Sequence, residues 1–195
     1  LVTGVQTCAL PIYIPAQIHD IDGDGRLEVL CVMDGMFRIL DGATGQEKQT
    51  HNLPDEDAHD CIVVCNLTGA DHSGDILLKD RYRRVWALDK DWNILWQHEG
   101  NPGHYPWPHD FDGDGWDEIM AGYDLLDHDG SKLWSCQPLD DHADCMIVCR
   151  AMPEIPGDQI AIGGSVTVLY SDDGTELWRY GGSKIQLSEC FRCID

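Results

Sequence analysis

The sequence predicts an all-β fold: a β-propeller of about four four-stranded blades plus the start of a fifth, open and not closed into a ring. Three observations carry that prediction. The loop Asp20-Ile-Asp22-Gly-Asp24-Gly-Arg-Leu-Glu28 recurs as Asp110-Phe-Asp112-Gly-Asp114-Gly-Trp-Asp-Glu118, both reading D-x-D-G-D-G-x-x-E. Between and after them lie a degraded copy, Asn66 through Asp71 to Asp75, and a fourth equivalent, Arg150 to Asp158, that has lost the ligand set. Repeat starts therefore fall near 20, 66, 110 and 150. A second signature repeats in the same phase, an Asp-bearing turn closing on a Leu-Trp pair: Leu88 to Trp96, Leu126 to Trp134 and Leu169 to Trp178, with Leu40 to Glu47 as the weakest copy. Short strands in a period of about 40 to 45 residues are the pattern of a propeller blade.

The elements follow in chain order. Val2 to Ile12 look like the one-frame translation of a sequencing-library adapter and do not fit the repeat, so residues 1–12 are set aside as an assembly artefact. That leaves 13–195 as a partial propeller domain whose natural N-terminus is expected upstream. Each period opens on an inner strand (Asp60-Cys-Ile-Val-Val-Cys-Asn66; Asp144-Cys-Met-Ile-Val-Cys149), passes through the acidic loop, and leaves on a second apolar strand (Val29-Leu-Cys-Val; Ile119-Met-Ala-Gly). A hairpin with an Asp/Gly turn completes it. The Leu-Trp pairs are expected to wedge between neighbouring blades, since a propeller buries its large side chains between stacked sheets. Gln186 to Asp195 reads as the inner strand of a fifth repeat.

The loops carry metal chemistry. Alternate carboxylates with a turn-permitting glycine and a closing acid can converge hard oxygens on one cation, the ligand set of Ca²⁺. Asp20, Asp22, Asp24 and Glu28, and separately Asp110, Asp112, Asp114 and Glu118, are the expected ligands. The alternative for either copy is an ordinary Asp/Gly turn. The start resembles an EF-hand loop, but the acid falls at position 9 instead of 12 and a strand follows, so the loop joins β-strands.

Composition narrows the partners. Thirteen Lys and Arg against 35 Asp and Glu leave a net charge of −22, which excludes nucleic acid as a partner because phosphate binding needs a basic surface. One run opposes that balance, Lys79-Asp-Arg81-Tyr82-Arg83-Arg84, which on a strand would put Arg81 and Arg83 on one face; it can hold an anionic sugar or pair with the acids of neighbouring blades. No stretch approaches the roughly 20 apolar residues of a membrane span. Cysteines recur at Cys61/Cys65, Cys145/Cys149 and Cys190/Cys193, too far apart along one strand for a disulfide, and read as small buried hydrophobes. Thiols in this number fit a cytoplasmic protein or one secreted by an anaerobe.

Three repeats place a histidine just before the inner strand: His59, His104 followed by Tyr105, and His142. In a propeller the starts of successive inner strands surround one mouth of the central channel, so these four side chains converge although they are some 40 residues apart. With Arg81, Tyr82 and Arg83 as the sugar-binding group, the set holds what β-elimination on a uronic acid needs: a neutraliser for the carboxylate, a base for the C5 proton and an acid for the leaving oxygen. The alternative is that the histidines cap strands or bond adjacent blades.

Phe111-Asp-Gly-Asp-Gly-Trp-Asp-Glu-Ile-Met-Ala-Gly resembles an FG-GAP/VCBS-type repeat, the calcium-loop blade of integrin-like heads and of rhamnogalacturonan and ulvan lyase propellers. The Leu-Trp hairpins also resemble quinoprotein-type repeats, which lack the acidic loop. The lyase resemblance implies a calcium-stabilised propeller whose channel mouth supplies His, Tyr and Arg; the blade itself serves adhesion and scaffolding as readily as catalysis. Two classes of function follow. One is a lyase-like carbohydrate-active propeller acting on an acidic polysaccharide; the other is a non-catalytic propeller that binds a glycan or a protein partner.

Overall fold

The computed structural model describes residues 15–136 and 143–181. The adapter-like segment 1–12, His142 and the fifth-repeat strand from Gln186 with Cys190 and Cys193 lie outside them. Among the described residues there are sixteen strands in four four-stranded antiparallel sheets, and no helix. The first blade is β1 (Ala16–His19), β2 (Glu28–Met33), β3 (Met36–Asp41) and β4 (Glu47–Asn52); the second is β5 (Cys61–Cys65), β6 (Asp75–Lys79), β7 (Arg84–Leu88) and β8 (Ile94–Glu99). The third is β9 (Trp107–His109), β10 (Glu118–Ala121), β11 (Asp124–Leu126) and β12 (Lys132–Ser135), and the fourth β13 (Cys145–Cys149), β14 (Gln159–Gly163), β15 (Val166–Ser171) and β16 (Glu176–Gly181). Each is a meander in chain order, and β1, β5, β9 and β13 approach one another in series. The open propeller arc expected from the repeats is therefore the fold.

Apolar patterning explains the stacking. In β6 all five residues are buried; Ile76 and Leu78 join Leu30, Phe37 and Ile62 in a core between blades one and two, while Leu77 joins Ile119 and Leu126 in a core between blades two and three. Alternate residues of one strand thus feed two cores, which is why the second strand of the blade reads as a continuous apolar run. Blades three and four enclose a third core around Met120, Ile160 and Val168. Cys31, Cys61, Cys65, Cys136 and Cys145 are buried, as small hydrophobes would be.

The outer hairpins share one irregularity. Their pairing shifts by a residue between Ile39/Leu40, Ala87/Leu88, Leu125/Leu126 and Leu169/Tyr170. The bulged residue is the leucine of each Leu-Trp pair, so it points outward: Leu95 is 39% and Leu133 51% exposed. Of these pairs, Trp96 and Trp134 reach between blades, while Trp178, on the last described blade, is exposed. Trp96 Nε1 donates to the His128 carbonyl and Trp134 Nε1 to the Asp172 carbonyl, both at 2.8 Å, in the next blade's turn. Each indole covers a turn glycine of positive φ; a Cβ on Gly130 would stand 2.5 Å from the Trp96 ring, and one on Gly174 2.8 Å from Trp134.

The seam between blades one and two inverts this pattern. Gln49 holds the register position of Trp96 and Trp134, and Trp92 stands at the turn position of the glycines with φ 66°. Its Nε1 donates backwards, to the Asn52 carbonyl of the first blade at 2.8 Å. A bulky residue in the left-handed region costs about 1–3 kcal/mol and persists only where its surroundings dictate it.

Candidate functional site

The acidic loops join the ends of the inner strands to β2, β6, β10 and β14. One feature is common to all four: a buried acceptor opening the second strand binds an amide near the loop's start. Glu28 accepts from Ile21, Asp75 from Leu67, Glu118 from Phe111 and Gln159 from Met152, at 2.7–3.1 Å. What neutralises that acceptor differs from blade to blade. Asp75 also takes the Thr68 amide and hydroxyl, both at 2.9 Å, and Gln159 is uncharged. In these two blades hydrogen bonds do the work of a cation.

In the first loop carboxylate oxygens of Asp20, Asp22 and Glu28 lie within 4.8 Å of one another, and in the third those of Asp110, Asp112 and Glu118 do. Asp24 and Asp114 fall outside both groups; their carboxylates accept the amides of Arg26 and Trp116. The two clusters are not equivalent. Lys48, the bulged residue of β4 where the other blades carry leucine, places its Nζ 2.8 Å from Asp22 and 2.9 Å from Glu28. Its hydrogen bond lowers the Asp22 pKa, and the two carboxylates raise that of Lys48. Among the described residues no lysine or arginine pairs with the third cluster. There burial pushes the Glu118 carboxyl up, and the charges of Asp112, Asp114 and Asp127 push the same way. Three hard oxygens with one disfavoured as an anion fit a divalent cation.

Hydrogen bonds latch these loops together around one end of the blades. His19 donates to the Ser73 carbonyl at 2.9 Å and His72 bonds the Asp20 carbonyl. The Asn66 amide donates to Asp117 Oδ2 and the Asp117 amide to the Asn66 carbonyl, both at 2.7 Å, while His109 stands 2.8 Å from Asp158.

At the opposite end, where inner strands begin, His104 and Tyr105 stand with Tyr82 and Asp144; His59 makes no contact with them among the described residues, and His142 lies outside those residues. The Tyr82 hydroxyl and His104 Nε2 are 3.1 Å apart, Asp144 Oδ1 lies 3.7 Å from the same nitrogen, and the Arg81 guanidinium sits over the Tyr82 ring at 5.6 Å. Tyr105, 43% exposed, has its ring centroid 6.4 Å from that of His104. His59 is exposed just ahead of β5, its amide donating to Asp57. The basic run is a turn between β6 and β7, not a strand, so strand alternation does not set its faces. Asp80 folds it by accepting the Arg83 and Arg84 amides at 2.7 and 2.9 Å, and Arg84 pairs with Asp80 and Asp55. Burial would raise the Asp80 pKa, but those amides and the Arg84 guanidinium outweigh it and lower it. Arg83 is exposed, its carbonyl accepting from Gly100, and no contact joins its side chain to the Tyr82–His104 pair.

Two residues of these sites escape a reading of motifs. Lys79, 1% exposed, gives its ammonium to Asp60 at 2.6 Å and to the carbonyls of Asp80 and Arg81, so it holds the turn that presents Arg81 and Tyr82. A lysine ending the apolar run Ile76-Leu-Leu is the signal that marks it. Lys48 is visible only through register, whereas Asp144 is legible in the sequence as the residue that opens an inner strand beside the histidines.

No protein-family model and no curated protein matches the sequence. The FG-GAP/VCBS resemblance therefore rests on the loop motif alone. Solved structures do match. The exotype rhamnogalacturonan lyase YesX superposes with a TM-score of 0.72 at 19% identity, over 89% of this chain and 39% of that one. The Bacillus licheniformis rhamnogalacturonan lyase PL11 gives 0.68 at 20%, over 87% and 40%. The V. cholerae biofilm matrix protein Bap1 gives 0.67 at 20%, over 87% and 29%. The chain spans less than half the length of each, and the likeness is one of fold.

Proposed function

We propose that the chain is a carbohydrate-active, calcium-stabilised propeller that cleaves a uronic-acid-containing polysaccharide by β-elimination. The observation that carries this reading is the Tyr82–His104–Asp144 group beside Arg81 at the start of the inner strands. In this reading Arg81 and Arg83 hold the uronate carboxylate and stabilise the charge that develops on it. His104, oriented by Tyr82 and Asp144, removes the C5 proton; the electron pair forms the C4–C5 double bond and the C4–O bond breaks. Tyr105 protonates the leaving oxygen, and His59 and His142 remain as the other expected members of the set. The overlap with two rhamnogalacturonan lyases supports the substrate class.

An ion held in the acidic loops stands away from that mouth. The acidic loops follow the inner strands and the histidines precede them, so a strand of up to five residues, roughly 16 Å, separates the two. Asp110, Asp112 and Glu118 would hold the ion, whose role is to hold the loop. In this reading arginine is the neutraliser.

The second reading is a non-catalytic module that binds a glycan or a protein, favoured by the net charge of −22, which repels a polyanion, and by the likeness to a biofilm matrix protein. The test uses the intact protein on pectic and ulvan-type polymers. Elimination gives unsaturated sugars and a rise in ultraviolet absorbance that His104→Ala removes while melting and calcium response stay unchanged. No absorbance on any uronic-acid polymer, with glycan still retained on an affinity gel, assigns the binding module.

A further inference from the structure

We propose that the cleft between the first and second blades, on the loop-bearing end, binds a neutral saccharide unit. It lies at the opposite end of the blades from the Tyr82–His104 group and does not depend on the elimination reading.

The cleft exists because the seam is inverted. Elsewhere an indole from the outer strand lies over a turn glycine of the next blade and seals the gap. Here the strand supplies Gln49 and the indole comes from Trp92 on the far side, and a cavity of about 400 Å³ opens between them. That is within the range of small-ligand sites, on the order of 300–1,000 Å³. Simple exchange of one filler for another would leave an apolar seam. The lining instead combines Trp92, Ile39 and Ile76 with Gln49, His51, Asp71 and Lys90, contributed from both blades.

That mixture suits a sugar ring. Apolar walls meet its C–H faces, while amide, carboxylate and ammonium groups serve its hydroxyls as donors and acceptors. Trp92 is held rigidly for the purpose, stacked on His51 with centroids 4.4 Å apart and packed against Phe37 at 4.6 Å. Charge sets the class. With Asp22 paired to Lys48, Asp71 and Asp89 still outnumber Lys90 along the walls, and burial of His51 disfavours a positive charge on its imidazole. A uronate or phosphate is repelled; a neutral glycoside is not.

The experiment follows the Trp92 indole N–H in proton–nitrogen correlation spectra of the ¹⁵N-labelled protein. Methyl β-galactoside, methyl α-rhamnoside, galacturonate and spermidine serve as probes. At least one neutral glycoside shifts that signal saturably, and galacturonate and spermidine do not. Asp71→Asn or Lys90→Ala weakens the binding about fivefold, the loss of one hydrogen bond. The double exchange Gln49→Trp with Trp92→Gly, which restores the pattern of the other blades, closes the cleft: with the Trp96 and Trp134 indole signals unmoved as proof of folding, no indole responds saturably. Should that variant not fold, Asp71→Asn and Lys90→Ala decide the matter, and unchanged affinity in both overturns the proposal. It is equally overturned by the absence of a saturable shift up to the solubility of both glycosides, by a response to galacturonate or spermidine alone, or by undiminished binding in the folded double variant.

Discussion

Replacing Asp112 by alanine isolates what a cation does for the third blade. Asp112 is exposed, and its only hydrogen bond among the described residues is from the Asp114 amide at 3.0 Å. In chelator its loss should therefore alter stability by no more than about 0.5 kcal/mol, as for other surface changes. With calcium the difference grows. A ligand at one hundred times its dissociation constant stabilises the native state by about 2.7 kcal/mol. For a chain of this size that is roughly 5–10 °C in melting temperature. Wild-type protein should show that rise and Asp112→Ala little of it, with scanning calorimetry in chelator and in millimolar calcium as the assay. The first loop should answer differently, because a divalent ion there must first displace the Lys48 ammonium from Asp22 and Glu28. Lys48→Leu, the residue the other blades use, should leave the first loop weaker in chelator and more responsive to calcium. An Asp112→Ala protein that gains as much from calcium as wild type would refute the assignment of the ion to the third loop. A wild-type protein indifferent to calcium and chelator would refute calcium stabilisation altogether.

Asp75→Ala should cost about 2–4 kcal/mol in denaturant unfolding whether or not calcium is present, because it strands two amides and a hydroxyl that only hydrogen bonds satisfy. Gly130→Ala should destabilise by more than about 1 kcal/mol, since φ is 83° and the added Cβ meets the Trp96 ring at 2.5 Å; urea midpoints measure it. Burial lowers the His51 pKa from its usual 6.5, so the unfolded chain binds the proton more readily. Stability from this group is complete above pH 6.5 and is lost as the pH falls through the folded-state pKa. His51→Gln should flatten the stability profile below pH 6.5 while leaving its upper arm unchanged.

The repeat spacing made the blade count legible because a propeller blade is built from contacts local in sequence. Turn glycines, alternating strands and the acidic loop each declare themselves within ten residues. The loops illustrate where that stops. Two copies identical in motif proved chemically different, and the difference lies in Lys48, twenty residues after Glu28, which reaches the loop through a bulge one residue out of register. The basic run failed for the same kind of reason: Asp80 turns it by accepting amides, a role that depends on Lys79 and Arg84 being held in place by other elements.

From the sequence alone came the all-β class, the phase of the four blades, and the positions of the acidic loops and of the histidines that open the inner strands, all written in periods of two residues and of one blade. The tertiary structure alone decided which groups meet across blades: His104 with Tyr82 and Asp144, Lys48 with the first loop, and Trp92 in place of a strand tryptophan. Those meetings join residues 20 to 40 positions apart, and such partners are chosen by strand register and sheet stacking. A one-residue bulge or one exchanged side chain changes them without changing any motif.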